Sequence, residues 1–158
     1  MRWILIITLF VLGCKEKGID PRVLSLPELN VQMLDSSGVM NTADIAAGVP
    51  TILMYFDPGC QFSREQTETI IKHYDSLKHI RFYMISSAPM QKLHDYYTHY
   101  RLDKFGNIIM GRDHELFFEK ELKVPSFPWL FIYSPDKKLK RILTGSSDVQ
   151  TILSNVNG

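Results

Sequence analysis

The sequence predicts an α/β domain, a mixed central sheet flanked by helices and preceded by an N-terminal β-hairpin. Three observations carry this. Thr51 to Phe56 is an unbroken apolar run and Trp129 to Tyr133 is a second, the pattern of strands buried on both faces. The β-rich run Ile80 to Ile85 is separated from the first by residues with helical spacing. Ser134-Pro135-Asp136 then turns the chain so that Leu139 to Leu143 returns antiparallel.

The chain start has a different character. Met1-Arg2 precedes an almost wholly apolar stretch from Trp3 to Leu12, then Gly13-Cys14 and the abrupt charge of Lys15-Glu16-Lys17. This is the layout of a secretory signal. Its apolar core is too short for a membrane span, which needs about 20 residues. Val11-Leu12-Gly13-Cys14 resembles the bacterial lipobox. That resemblance implies that Cys14 becomes the new N-terminus and carries acyl chains such as palmitate. They would hold the protein at a membrane surface without spanning it. The expected organisation is a signal peptide over 1–13, a lipidated tether over 14–27 punctuated by Gly18, Pro21 and Pro27, and one domain over 28–158. The domain is expected outside the cytoplasm, on the periplasmic side or at the cell surface.

The elements follow in order. Val31 to Leu34 and Val39 to Thr42 flank the turn-forming Asp35-Ser36-Ser37-Gly38 and predict a small hairpin. Asp44 to Gly48 reads as a partly helical connection. After the strand Thr51–Phe56, Pro58-Gly59 breaks the pattern. A helix is expected over Gln61 to His79, with Phe62, Ile70, Ile71, Tyr74 and Leu77 as its apolar residues. Pro89 can open the next helix, where Met90, Leu93, Tyr97 and Tyr100 share a face. Ile108 to Met110 predicts an edge or linking strand, Leu116 to Leu122 a helix, and Asp148 to Val156 a terminal helix.

Composition narrows the function. With 158 residues and 45% hydrophobic content, the chain can bury a core without disulfide staples. A net charge of +1 offers no electrostatic case for nucleic acid. The densest basic cluster, Lys137, Lys138, Lys140 and Arg141, flanks the predicted turn and reads as a solvated edge. The five histidines lack metal-ligand spacing, and a cysteine-based zinc site needs several thiolates, so neither metal nor cofactor is expected. The only cysteines are Cys14 and Cys60. If Cys14 takes lipid, Cys60 is a lone thiol in an oxidising compartment, which suggests reactivity or an intermolecular partner.

Cys60 lies in Phe56-Asp57-Pro58-Gly59-Cys60-Gln61-Phe62-Ser63, between a buried strand and a helix. Together with Val124-Pro125-Ser126-Phe127-Pro128-Trp129, this arrangement resembles the thioredoxin-like superfamily, in particular its membrane-attached extracytoplasmic members. The resemblance covers about residues 28–156. It implies a thioredoxin-like fold with Cys60 as the active cysteine and Pro128 as a cis-proline facing it. Phe127 and Pro128 would then form the segment that pairs with an extended substrate peptide. Ser63 stands where the family has its resolving cysteine, and Met54 where thioredoxin has a buried acid. Leu53 and Asp57 replace the Pro and Thr of the peroxiredoxin motif, and Arg64 replaces the second cysteine of copper-delivery relatives.

A helix N-terminus favours thiolate, the nucleophilic form. The Ser63 hydroxyl could hydrogen-bond the thiol, and Arg64 could add positive potential. Asp57 could oppose these effects or cap the helix. A mixed disulfide at Cys60 would need an outside thiol for release. The expected function is therefore monothiol thiol–disulfide exchange or isomerisation. Its partners would be exported proteins or small thiols, with the bilayer engaged through acylated Cys14. The alternative is a redox-inactive thioredoxin-fold binding or scaffold module.

Overall fold

A computed structural model describes residues 19–34 and 38–158. The expected signal segment, the lipidation residue Cys14, most of the expected tether and the hairpin turn at 35–37 lie outside the described residues.

The sheet has seven strands. β1 (Asn30–Met33) and β2 (Val39–Asn41) form the expected hairpin. β3 (Thr51–Tyr55) leads into α1 (Gln61–Lys72), α2 (Tyr74–Leu77) and β4 (Arg81–Ser86). After α3 (Met90–His99) come β5 (Ile108–Asp113) and α4 (Phe117–Lys120). β6 (Trp129–Tyr133), β7 (Leu139–Thr144) and α5 (Val149–Asn157) complete the chain. The strand order is β2-β1-β5-β4-β3-β6-β7, with β3, β4 and β5 parallel and the other pairings antiparallel.

β3 is the centre of the molecule. Alternate side chains of a strand face opposite sides, and both sides here are covered. Ile52, Met54 and Phe56 pack with Ile70, Leu93 and Ile152. Leu53 and Tyr55 pack with Phe118, Phe131 and Tyr133. All five β3 residues are buried, which is why the sequence shows an unbroken apolar run rather than alternation.

The structure refines three expectations. Of the two readings of Ile108–Met110, edge or linking strand, it selects the linking one. β5 runs on to Asp113 and lies between β4 and β1. Gly111 makes room for this, because a Cβ there would fall 2.4 Å from Val31 Cγ1 and 2.8 Å from the Gln32 carbonyl oxygen. The helix expected from Gln61 to His79 breaks at His73, where the backbone leaves helical geometry. On α3 the expected residues Met90, Leu93, Tyr97 and Tyr100 do pack on one core, and Tyr96, outside the expected set, joins Leu93 among the buried residues. The Tyr96 hydroxyl meets Thr67, which lets a polar-tipped ring occupy the buried face.

From Asp20 on, the stretch expected as tether packs on the domain. Asp20 caps a 3-10 turn at Pro21–Val23, and Val23 and Leu26 are buried in the second core. The Leu26 N–H donates to Lys137 O (2.9 Å) and the Leu139 N–H to Leu24 O (3.0 Å).

Candidate thiol site

The site is built on the turn joining β3 to α1. The Cys60 N–H donates to Asp57 O at 3.0 Å and the Gly59 N–H to Asp57 Oδ1 at 2.6 Å. Asp57, Pro58 and Gly59 thus form a tight turn closed by its own side chain. The Asp57 carboxylate stabilises this turn and does not cap α1. Cys60 itself is the N-cap, with extended backbone (φ −77°, ψ 128°) and no side-chain capping bond. The Arg64 N–H donates to Cys60 O at 3.2 Å and starts the helix.

The thiol is half-buried. Its hydrogen bond goes across the site, from Sγ to the Phe127 carbonyl at 3.6 Å. The Phe127–Pro128 peptide is cis, and Pro128 is buried. Cys60, Phe127 and Pro128 are therefore brought together. Pro128 O in turn accepts from the Gly145 N–H at 2.8 Å, tying this segment to the loop before α5.

Ser63 occupies the position one helical turn beyond Cys60, but its hydroxyl accepts from the Asp57 N–H at 3.3 Å. The expected Ser63–Cys60 hydrogen bond is replaced by the thiol's bond to Phe127. The reason is local: Asp57 follows the last buried strand residues, and a backbone N–H there needs an acceptor. Ser63 is fully buried. Arg64 turns back over the loop, with Nη1 donating to Gly59 O at 2.8 Å. Its guanidinium is thus held beside the turn that carries Cys60.

The first turns of α1 invert ordinary amphipathic logic. Ser63, Gln66 and Thr67 are fully buried, whereas Phe62 is 54% exposed. Most of these buried polar groups have partners, whereas the Gln66 Nε2 amide has none among the described residues. Thr67 Oγ1 and Tyr96 Oη lie 2.7 Å apart, and both reach the Ser63 carbonyl, at 3.0 and 3.2 Å. Burial pushes the Tyr96 phenol well above its ordinary pKa. Gln66 Oε1 accepts from the Ser147 N–H at 2.7 Å. These contacts bolt α1 to α3 and to the loop before α5. Phe62, by contrast, presents an apolar ring to solvent two residues from the thiol. Sequence reasoning missed it as a surface residue, because an apolar side chain on a predicted helix reads as core. The polar Ser63, Gln66 and Thr67 at helical spacing were the available signal that another face was buried.

The Phe127 ring is turned to the opposite side of the sheet, 5.4 Å from Tyr55, which stacks on Phe118 at 4.3 Å. The Tyr55 hydroxyl donates to Glu119 Oε1 at 3.1 Å, and Ser87 Oγ shares that acceptor. Among the described residues there is no cluster of three or more potential metal ligands.

No protein-family model matches the sequence, and no curated protein matches it either. Solved structures do match in three dimensions. One is a secreted Mycobacterium tuberculosis disulfide oxidoreductase homologous to E. coli DsbE. It has a TM-score of 0.64 and 18% identity, over 80% of this chain and 92% of that one. Mycobacterium tuberculosis DsbF superposes with a TM-score of 0.67 at 14% identity, over 85% and 95% of the two chains. StoA from Bacillus subtilis superposes with a TM-score of 0.60 at 13% identity, over 80% and 94%. The chain has a thioredoxin-like fold.

Proposed function

We propose that this chain is a membrane-anchored extracytoplasmic thioredoxin-like protein that carries out monothiol thiol–disulfide exchange through Cys60. One observation carries the reading: the half-buried Cys60 thiol lies 3.6 Å from the carbonyl of Phe127, beside cis-Pro128. An extended peptide carrying a disulfide could approach the same segment. The DsbE-like solved structure, described as a disulfide oxidoreductase, supports the chemistry as an analogy of fold.

In the exchange, Cys60 thiolate attacks one sulfur of the partner's disulfide. The partner's S–S bond breaks and a Cys60–partner S–S bond forms. The partner's other sulfur leaves as thiolate and takes up a proton from solvent. Two electrons are redistributed with no net oxidation. With Ser63 one turn along, no internal thiol can resolve the adduct, so a small thiol or a second protein thiol must attack it. Exposed Phe62 offers an apolar contact to a partner residue near the reacting sulfur. No helix among the described residues is long and apolar enough to cross a membrane, and anchoring is assigned to acylated Cys14 on the strength of its lipobox-like sequence.

The test is isolation under acid quench. Wild type should carry disulfide-linked adducts at Cys60, and Cys60→Ser should carry none. An absence of adducts in wild type, with partner capture unchanged in Cys60→Ser, would instead identify a redox-inactive binding module. Cys14→Ser should release the protein from membranes or leave an uncleaved precursor. A variant still processed and acylated like wild type overturns the anchoring assignment.

A further inference from the structure

We infer that Phe62 is a specificity-determining residue of the exchange reaction. It selects an extended polypeptide whose reacting cysteine is flanked by an aromatic or large aliphatic side chain. The inference rests on the exchange reading above and names the partner's chemistry.

The packing of α1 decides where Phe62 stands. The helix buries Ser63, Gln66 and Thr67, and its second residue, Phe62, stays 54% exposed. Among the described residues, the other large apolar side chains exposed to this degree are Ile19, Leu24 and Val39. They lie on the N-terminal arm and on β2, whereas Phe62 stands in the first turn of the helix that Cys60 caps. Cα atoms two residues apart are separated by at most about 7 Å. A side chain next to a partner's reacting cysteine can therefore reach the Phe62 ring.

The rim around the thiol is apolar and almost uncharged. Tyr55 registers with Ile85 of β4 and Trp129 of β6, and Trp129 with Thr144 of β7. The segments 56–63, 86–91, 124–129 and 144–147 therefore meet at one end of the sheet. Asp57 is their one charged residue, and its carboxylate accepts the Gly59 N–H. Pro58, Pro89 and Pro125 belong to these segments, the last two exposed. A proline offers a rigid apolar surface and no N–H, which suits apolar contact better than polar recognition. Charge resumes at Arg64 on α1, at Lys92 on α3, at Asp148 before α5 and around α4. There Glu119 is bonded to Tyr55 and Ser87, and Glu121 to Arg22.

These features favour a polypeptide with apolar neighbours over one with charged neighbours. The Phe127 carbonyl lies outside the strands and faces the thiol at 3.6 Å, so an extended backbone can pair there with its cysteine over Cys60. The side chains beside that cysteine then run along the uncharged rim. An aromatic or aliphatic group there leaves water against Phe62. A charged group would lose water on a surface that offers it Asp57 alone.

The experiment uses the full-length protein and capped peptides of sequence Ser-Xaa-Cys-Xaa-Ser, with Xaa as Phe, Ser, Asp or Lys. Each peptide carries thionitrobenzoate in a disulfide. Cys60 thiolate bonds to the peptide's sulfur, the peptide's S–S bond breaks, and thionitrobenzoate leaves with the electron pair. Its absorbance gives the rate, and mass spectrometry confirms the peptide adduct. Free N-acetylcysteine gives each peptide's own reactivity, by which the rates are normalised. Wild type should then react with the Phe peptide about tenfold faster than with the Ser peptide. The Asp and Lys peptides should react no faster than the Ser peptide. Phe62→Ser should bring the Phe-to-Ser ratio to about one, and Phe62→Leu should keep a ratio of about three. A wild-type ratio near one, or a wild-type ratio that persists in Phe62→Ser, overturns the assignment. Folded wild type that releases no thionitrobenzoate from any peptide overturns the exchange reading instead.

Discussion

Restoring a cysteine at position 63 should convert a long-lived mixed disulfide into a transient one. Cys60 and Ser63 are the N-cap and third residue of α1. Helix geometry puts Cα atoms three residues apart at about 5 Å, inside the roughly 4.4–6.8 Å that a disulfide spans. Ser63 is fully buried, and its hydroxyl accepts the Asp57 N–H at 3.3 Å. A thiol is a weaker acceptor, so Ser63→Cys should cost about 1–3 kcal/mol, which a domain of about 5–15 kcal/mol tolerates. The gain is intramolecular. A tethered thiol acts at an effective concentration in the mM range or above. Against about 1 μM outside thiol, adduct lifetime should fall about a thousandfold. The assay adds dithiodipyridine and follows released pyridinethione. Wild type should release one equivalent at Cys60 and retain the pyridyl adduct. Ser63→Cys should release a second equivalent as the new thiol displaces it. A folded Ser63→Cys protein whose adduct lasts as long as wild type would refute the argument that the missing resolving thiol governs release.

Further outcomes follow from other parts of the structure. Cys60 lacks a capping bond, and serine is a good N-cap, so Cys60→Ser should keep or raise thermal stability by up to about 1 kcal/mol, or about 2–4 °C. A drop of several degrees would show that the thiol's bond to Phe127 matters more. Gly111→Ala should destabilise by about 1–3 kcal/mol because its Cβ would fall 2.4 Å from Val31 Cγ1. Hydrogen exchange should locate the loss of protection in β1 and β2 rather than in β3. Tyr96→Phe removes a hydroxyl that reaches both Thr67 and the Ser63 carbonyl, and denaturant unfolding should show a loss of about 1–3 kcal/mol. Burial raises the phenol pKa values of Tyr55, Tyr96 and Tyr133 above 10.0. The folded state therefore holds these protons after the unfolded chain has lost them. Their contribution is complete below pH 10 and is lost as pH rises from there through the folded-state values. A melting temperature that stays level to about pH 11 would contradict this.

The sequence by itself determined the architecture. β3 and β6 are buried on both faces, so their composition records both neighbours at once, and the alternation of strand and helix leaves few ways to connect them. It also marked Cys60 and Pro128, because a Pro-Gly break and an X-Pro step are local features. Tertiary structure decided what local pattern does not encode. β5 became an interior strand because Gly111 lets a distant hairpin pack against it. α1 buried Ser63, Gln66 and Thr67 and exposed Phe62 because acceptors and donors on Asp57, Tyr96 and Ser147 lie opposite the polar face. The Ser63 hydroxyl was claimed by a backbone N–H, and the thiol turned to Phe127, 67 residues away in sequence. Hydrophobic periodicity reports which residues avoid water. It cannot report which polar groups find one another, since that depends on partners brought together only by the folded sheet.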